Sequence, residues 1–138
     1  MKIIIETIPH NQQRYNTIGD WFPDSEPSPL PGGTPIAVIR IRVSAMANWR
    51  HEALVALHEL AEVILCMNDN ITPKLVDDFD MSFNGPEPGD DPQSPYKRQH
   101  CFATAVERLA CAAMGVDWFE YERVSERVST PVSAPRER

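Results

Sequence analysis

Residues 36–67 read IAVIRIRVSAMANWRHEALVALHELAEVILCM, and a change of period inside them decides the fold class. From Ile36 to Val43 the pattern alternates, with Ile39, Ile41 and Val43 on one side and Arg40 and Arg42 on the other. That is a half-buried strand with a basic outer face. From Trp49 to Met67 the spacing becomes helical, with Leu54, Leu57, Ala61, Ile64 and Leu65 forming an apolar stripe. Ser44 or Asn48 can cap this helix, expected near 48–67.

Working outward, Ile3, Ile4, Ile5, Thr7 and Ile8 read as a strand near 2–8, ended by Pro9. Residues 9–35 hold six prolines and three glycines and read as a long excursion anchored by Tyr15, Trp21 and Phe22. Thr72 followed by Pro73 starts a helix expected near 73–81. Residues 84–95 (NGPEPGDDPQSP) have no regular period and read as a mobile loop. A second long helix is expected near 97–114, with Phe102, Val106, Leu109 and Ala113 as its apolar face and Gly115 as its stop. Asp117 with Glu120 three residues on opens a last helix near 118–128. The expectation is an α+β fold: a small antiparallel sheet, strands near 2–8 and 36–43, packed with three to four helices. One domain spans 1–128, and residues 129–138 form a flexible tail.

Composition narrows the function classes. The chain has 138 residues and a formal charge of −7, which argues against nucleic acid and anionic membrane as partners. Six acids and no base lie between Lys74 and Lys97, which reads as a solvated loop that keeps the protein soluble or, more sharply, as a rim of negative charge that concentrates cations; the net charge leaves open a cation or a basic protein partner. The three cysteines, Cys66, Cys101 and Cys111, form no CxxC and read as small buried hydrophobes in a reducing compartment. The N-terminus is charged too early for a signal peptide, and no run approaches membrane-spanning length. A cytoplasmic protein is expected.

The chemistry lies in His58-Glu59-Leu60-Ala61-Glu62. Residues four apart on a helix stack one above the other, so His58 and Glu62 can grip one ion, or else simply bond each other and cap a polar seam. Glu59, about 100° round, points beside that ion as a candidate general base. On a helical wheel His51, His58 and Glu62 fall within about 40° of one another, beside the apolar stripe. On the second long helix His100, Thr104, Glu107 and Cys111 form a polar line away from Phe102, Val106 and Leu109. If the two lines face each other they enclose a polar pocket between helices, a common place for a metal site. His51 and His58 lie roughly 10 Å apart along the axis and cannot share one ion. The third ligand is therefore expected from the other helix, as His100, giving two imidazoles and a carboxylate with an open position. Glu107, Asp77, Asp80 and His51 are secondary candidates.

A strand followed by an apolar helix carrying HEL resembles the active-site helix of zincin metallopeptidases, whose motif is HExxH. The resemblance implies His58 as first zinc ligand, Glu59 as the base that activates water, and a hydrolase-type activity on an unknown substrate. Glu62 stands where the family has its second histidine. A carboxylate there lowers the charge on zinc and opens the site to harder ions, manganese or magnesium. Glu59-Leu-Ala-Glu62 followed by Asp77-Asp-Phe-Asp80 also resembles the all-α nucleoside triphosphate pyrophosphohydrolases, which implies magnesium held by four carboxylates. The blocks Trp49 to Asp80 and Pro88 to Trp118 (PGDDPQSPYKRQHCFATAVERLACAAMGVDW) are similar to small uncharacterised proteins of tailed phages and prophages. That similarity implies a host-cytoplasm setting. It also leaves a non-enzymatic alternative, an acidic phage protein that occupies a host factor.

Overall fold

A computed structural model describes residues 1–130. Its elements are β1 (Ile3–Ile8), β2 (Gly19–Glu26), β3 (Ile36–Ser44), α1 (Trp49–Asn68), α2 (Pro73–Ser82), α3 (Lys97–Ala113) and α4 (Trp118–Ser129), with 3-10 turns at His10–Gln12 and Pro88–Asp90. The helix ends follow from local chemistry. The Asn48 side chain accepts from the Arg50 N–H and starts α1. At its other end Asn70 turns left-handed (φ 57°), and the Ile71 N–H reaches back to the Cys66 carbonyl. Asparagine tolerates that closure better than most residues. Thr72 caps α2 through the Leu75 N–H, and Asp117 caps α4 through the Glu120 N–H. Gly115 ends α3 at φ 68°, where a side chain would be strained.

The fold is α+β, with a three-stranded mixed sheet in the order β1-β3-β2. Two features correct the expected antiparallel pair. β1 runs parallel to β3, with Ile3 beside Ile39 and Ile5 beside Ile41. The excursion supplies a third strand, β2, antiparallel to β3 with Trp21 opposite Ile41. By taking the chain back along the far side of β3, β2 lets β1 and β3 point the same way. Pro23 is accommodated because β2 is an edge strand, whose outward positions need no N–H.

α1 crosses β2 and β3, and Leu54, Val55, Val63 and Cys66 pack against Trp21, Ile41 and Val43. Fully burying a side chain such as Ile41 or Leu54 contributes about 1.5–3 kcal/mol. The faces of the two long helices differ from expectation. Of the apolar positions read as core, Leu57 (36%), Ile64 (44%), Phe102 (50%), Val106 (42%) and Leu109 (73%) are exposed. The buried positions include polar ones, His51, His58 and Glu62 beside Leu54, Val55, Val63 and Cys66 on α1, and Gln99, His100 and Glu107 beside Ala103 and Cys111 on α3. Sheet contact is what orients α1, and the inward polar groups are tolerated because most of them bond one another.

Three smaller readings also change. Residues 84–95 are not without structure: they contain the turn Pro88–Asp90, and Gly89 and Ser94 are buried. Cys101 is exposed, whereas Cys66 and Cys111 are buried. α4 runs to Ser129, one residue into the expected tail, and residues 131–138 lie outside the described residues. Among the described residues no helix is long and apolar enough to cross a membrane.

Candidate metal centre

α1 and α3 pack antiparallel. At one end Asp69 meets Arg98 and Gln99, and further along His58 meets Glu107. His58 and Glu62 stand one turn apart on α1, and His100 faces them from the first turns of α3. Their ligand atoms converge. His58 Nε2 lies 3.2 Å from Glu62 Oε2 and 3.1 Å from His100 Nδ1, and His100 Nδ1 lies 2.9 Å from Glu62 Oε2. All three residues are buried, at 8%, 5% and 7% exposure.

Each of the three is held from behind. His58 Nδ1 bonds Glu107 Oε2 at 2.8 Å, and the Tyr121 hydroxyl donates to Glu107 Oε1 at 2.5 Å. Trp21 Nε1–H donates to Glu62 Oε1 at 2.9 Å, leaving Oε2 for the cluster. His100 has Asp90 Oδ1 3.4 Å from its Nε2, and Gly89 presses on its ring. A carboxylate behind a ligand histidine fixes the ring and raises its basicity, a recurring outer-shell arrangement in metal sites.

The electrostatics show how the cluster is satisfied without an ion. Burial alone would push the His58 imidazole down, but its bonds to Glu107 and Glu62 win and hold it at about 11. Burial pushes Glu62 up, but His100 and His58 outweigh that and hold it at about 2. His100 is raised, again by Glu62 against burial. Even so, protons serve this triangle poorly. In the His58–His100 contact one nitrogen must accept, and an accepting His100 Nδ1 would then face the Glu62 carboxylate lone pair to lone pair. A proton on both rings instead packs two cations together. One divalent ion satisfies all three donors at once. Two imidazoles and a carboxylate are an established donor set for zinc, and an ion about 2.1 Å from each donor fits above a triangle of this size. His58, Glu62 and His100 thus form a buried group that could hold a metal ion.

The other sequence candidates fall elsewhere. Glu107 lies behind His58, bonded to its Nδ1 rather than among the converging atoms. Glu59 is half-buried outside the triangle, against Gly19, where a Cβ would come within 2.6 Å of its Oε1. Burial and then the Glu62 charge push its carboxyl well above the usual range. Asp77 is drawn away by Arg14, which also binds the buried Asp20. Asp80 accepts from Tyr15 (3.1 Å) and Tyr96 (2.6 Å), and burial raises it to about 6. His51 is buried with its ring 5.4 Å from that of Tyr121, and its Nδ1 has no partner among the described residues.

Trp21, Tyr121, Asp90 and Gly89 complete the centre and were not read as site residues. Trp21 left one signal: a tryptophan among turn residues that becomes buried must find an acceptor for its N–H. Gly89 left none, since only the tertiary fold brings it to His100. A Cβ at residue 89 would lie 2.4 Å from the His100 ring. Gly89→Ala is therefore expected to displace His100 and weaken metal binding roughly 10–100-fold, as outer-shell changes do. Competition with a chromogenic chelator measures this, and an unchanged affinity would remove Gly89 from the site. No protein-family model, curated protein or solved structure matches this chain.

Proposed function

We propose that this protein is a metal-dependent enzyme of hydrolase type, with His58, Glu62 and His100 as ligands and Glu59 as general base. One observation carries the reading: three buried donors converge within 3.2 Å, each held by a further group. A divalent ion bound there would acidify a water molecule and polarise a substrate oxygen. The residues supply the rest. Glu107 and Tyr121 hold the His58 ring so that Nε2 faces the centre. Trp21 holds Glu62. Glu59 is one residue round the helix from His58, and burial and then the Glu62 charge raise its carboxyl above the usual range, the direction that makes it a stronger base toward a water proton. The turn Pro88–Asp90 packs on His100 and brings Asp90 Oδ1 to 3.4 Å from its Nε2.

Zinc is the ion the donor set favours, with manganese next, because one of the three donors is a carboxylate. The test is a hydrolytic panel of peptides, esters and nucleotides, run on chelator-treated protein with zinc, manganese or magnesium restored. Turnover of at least one class, absent in chelator and restored by zinc or manganese, is the expected result. No turnover with any ion would end the hydrolase reading. Pyrophosphate release with magnesium alone would move the function to triphosphate hydrolysis.

A further inference from the structure

α1 and α3 turn their titratable side chains inward and their aliphatic ones outward. At roughly 100° per residue, the side of α1 opposite its sheet-facing residues Val55 and Cys66 carries Leu57 and Ile64. α3 runs antiparallel beside it, and the corresponding side carries Phe102 and Val106, with Leu109 next to them. The contacts Asp69–Gln99 and His58–Glu107 set the stagger. Ile64 then lies level with Phe102, and Leu57 level with Val106 and Leu109. The two stripes form one face, on the far side of α1 from the sheet.

All five side chains are at least 36% exposed. Their uncovered area is on the order of 500 Å², the size of the largest apolar patches on soluble monomers. It is also most of the roughly 800 Å² per partner that a standard interface buries. Ala61, Ala105 and Ala113 lie among the larger side chains, and Arg50 lies on the same side of α1 two turns before Leu57, at the end of the face. Arg98 borders it, stacked 5.1 Å over the Phe102 ring.

We propose that this face joins two copies of the chain in a four-helix interface. A two-fold axis along the helices lays α1 of one copy over α3 of the other. A patch must be complementary to itself for such a closed pair, and an apolar two-helix surface of large and small residues, with Arg50 and Arg98 only at its ends, meets that condition. α1 is backed by the sheet and α3 by α1, the Pro88–Asp90 turn and α4, so the apolar side of the pair needs a further layer, and a copy supplies it. With −7 on each chain, the copies repel at long range, so the contact is apolar and tightens as salt is added. The same charge disfavours an anionic membrane as the occupant.

Sedimentation equilibrium of the full chain, at low and high salt, tests this. The expected result is a dimer at micromolar concentration whose Kd falls as salt rises. Leu109→Glu and Leu57→Glu are each expected to raise that Kd at least 100-fold, with circular dichroism and metal content unchanged. Leu109 is 73% exposed, so its replacement leaves the fold intact. A wild-type chain that stays monomeric at 100-fold higher concentration would overturn the proposal. So would a dimer that both variants leave untouched, or a monomer that binds zwitterionic lipid vesicles through this face.

Discussion

His58→Ala is expected to abolish stoichiometric metal binding and to destabilise the metal-free protein by roughly 3 kcal/mol, the scale of breaking a buried ion pair. His58 is the hub of the site: it touches Glu62, His100 and Glu107 at 2.8–3.2 Å. Without it, among the described residues, Glu62 keeps only His100 and Trp21, and Glu107 keeps only Tyr121. Two buried carboxylates then lose a cationic partner. The pH dependence follows from the sign of the shifts. Glu62 is held down at about 2, so its ion pairing stabilises the fold above the ordinary carboxylate range and is lost as pH falls toward 2. His58 is held up at about 11, so its share is fully present below the ordinary imidazole range and is lost as pH rises toward 11. Removing His58 raises the Glu62 pKa and moves the acid-unfolding midpoint upward. Urea unfolding of both proteins between pH 3 and pH 7 measures this. Equal stability across that range would mean that His58 is not paired as described.

Glu59→Gln is expected to separate chemistry from binding. Glutamine has the same shape, so the contact with Gly19 survives. Glu59 is not one of the three converging donors, so metal content should stay at the wild-type value. Turnover should fall about 10²–10⁴-fold, the usual worth of a positioned acid–base group. The loss should appear in kcat more than in KM, because the proton moves only in the transition state. Full activity with a bound metal would assign water activation to another residue. Loss of the metal would make Glu59 part of the binding shell.

Helix positions were legible in the sequence because their signals are local. Asn48, the Thr72-Pro73 pair, Gly115 and the Asp117/Glu120 pair each act within one turn of the residue that carries them. The converging trio was also legible, since His58 and Glu62 share a helical face whatever surrounds them. Strand order was not. Nothing local to Ile3–Ile8 says that it pairs parallel to β3, because that depends on where β2 goes. β2 itself was hidden by Pro23, which reads as a break yet sits on an edge. The helix faces were misread for a related reason. A wheel shows where the apolar stripe lies, but not which layer will cover it. On α1 and α3 the sheet and the polar cluster claim the other side. The groups behind the ligands, Trp21 and Tyr121, lie 41 and 14 residues from their partners, and only the assembled fold joins them.

The central claim is that His58, Glu62 and His100 bind one ion together. The most direct measurement is elemental analysis by mass spectrometry of protein purified without a nickel column and equilibrated with zinc, manganese and magnesium. One divalent ion per chain, retained through gel filtration and absent from His58→Ala, is the predicted result. Less than a tenth of an equivalent of every metal, with thermal stability unchanged by chelator, would contradict it.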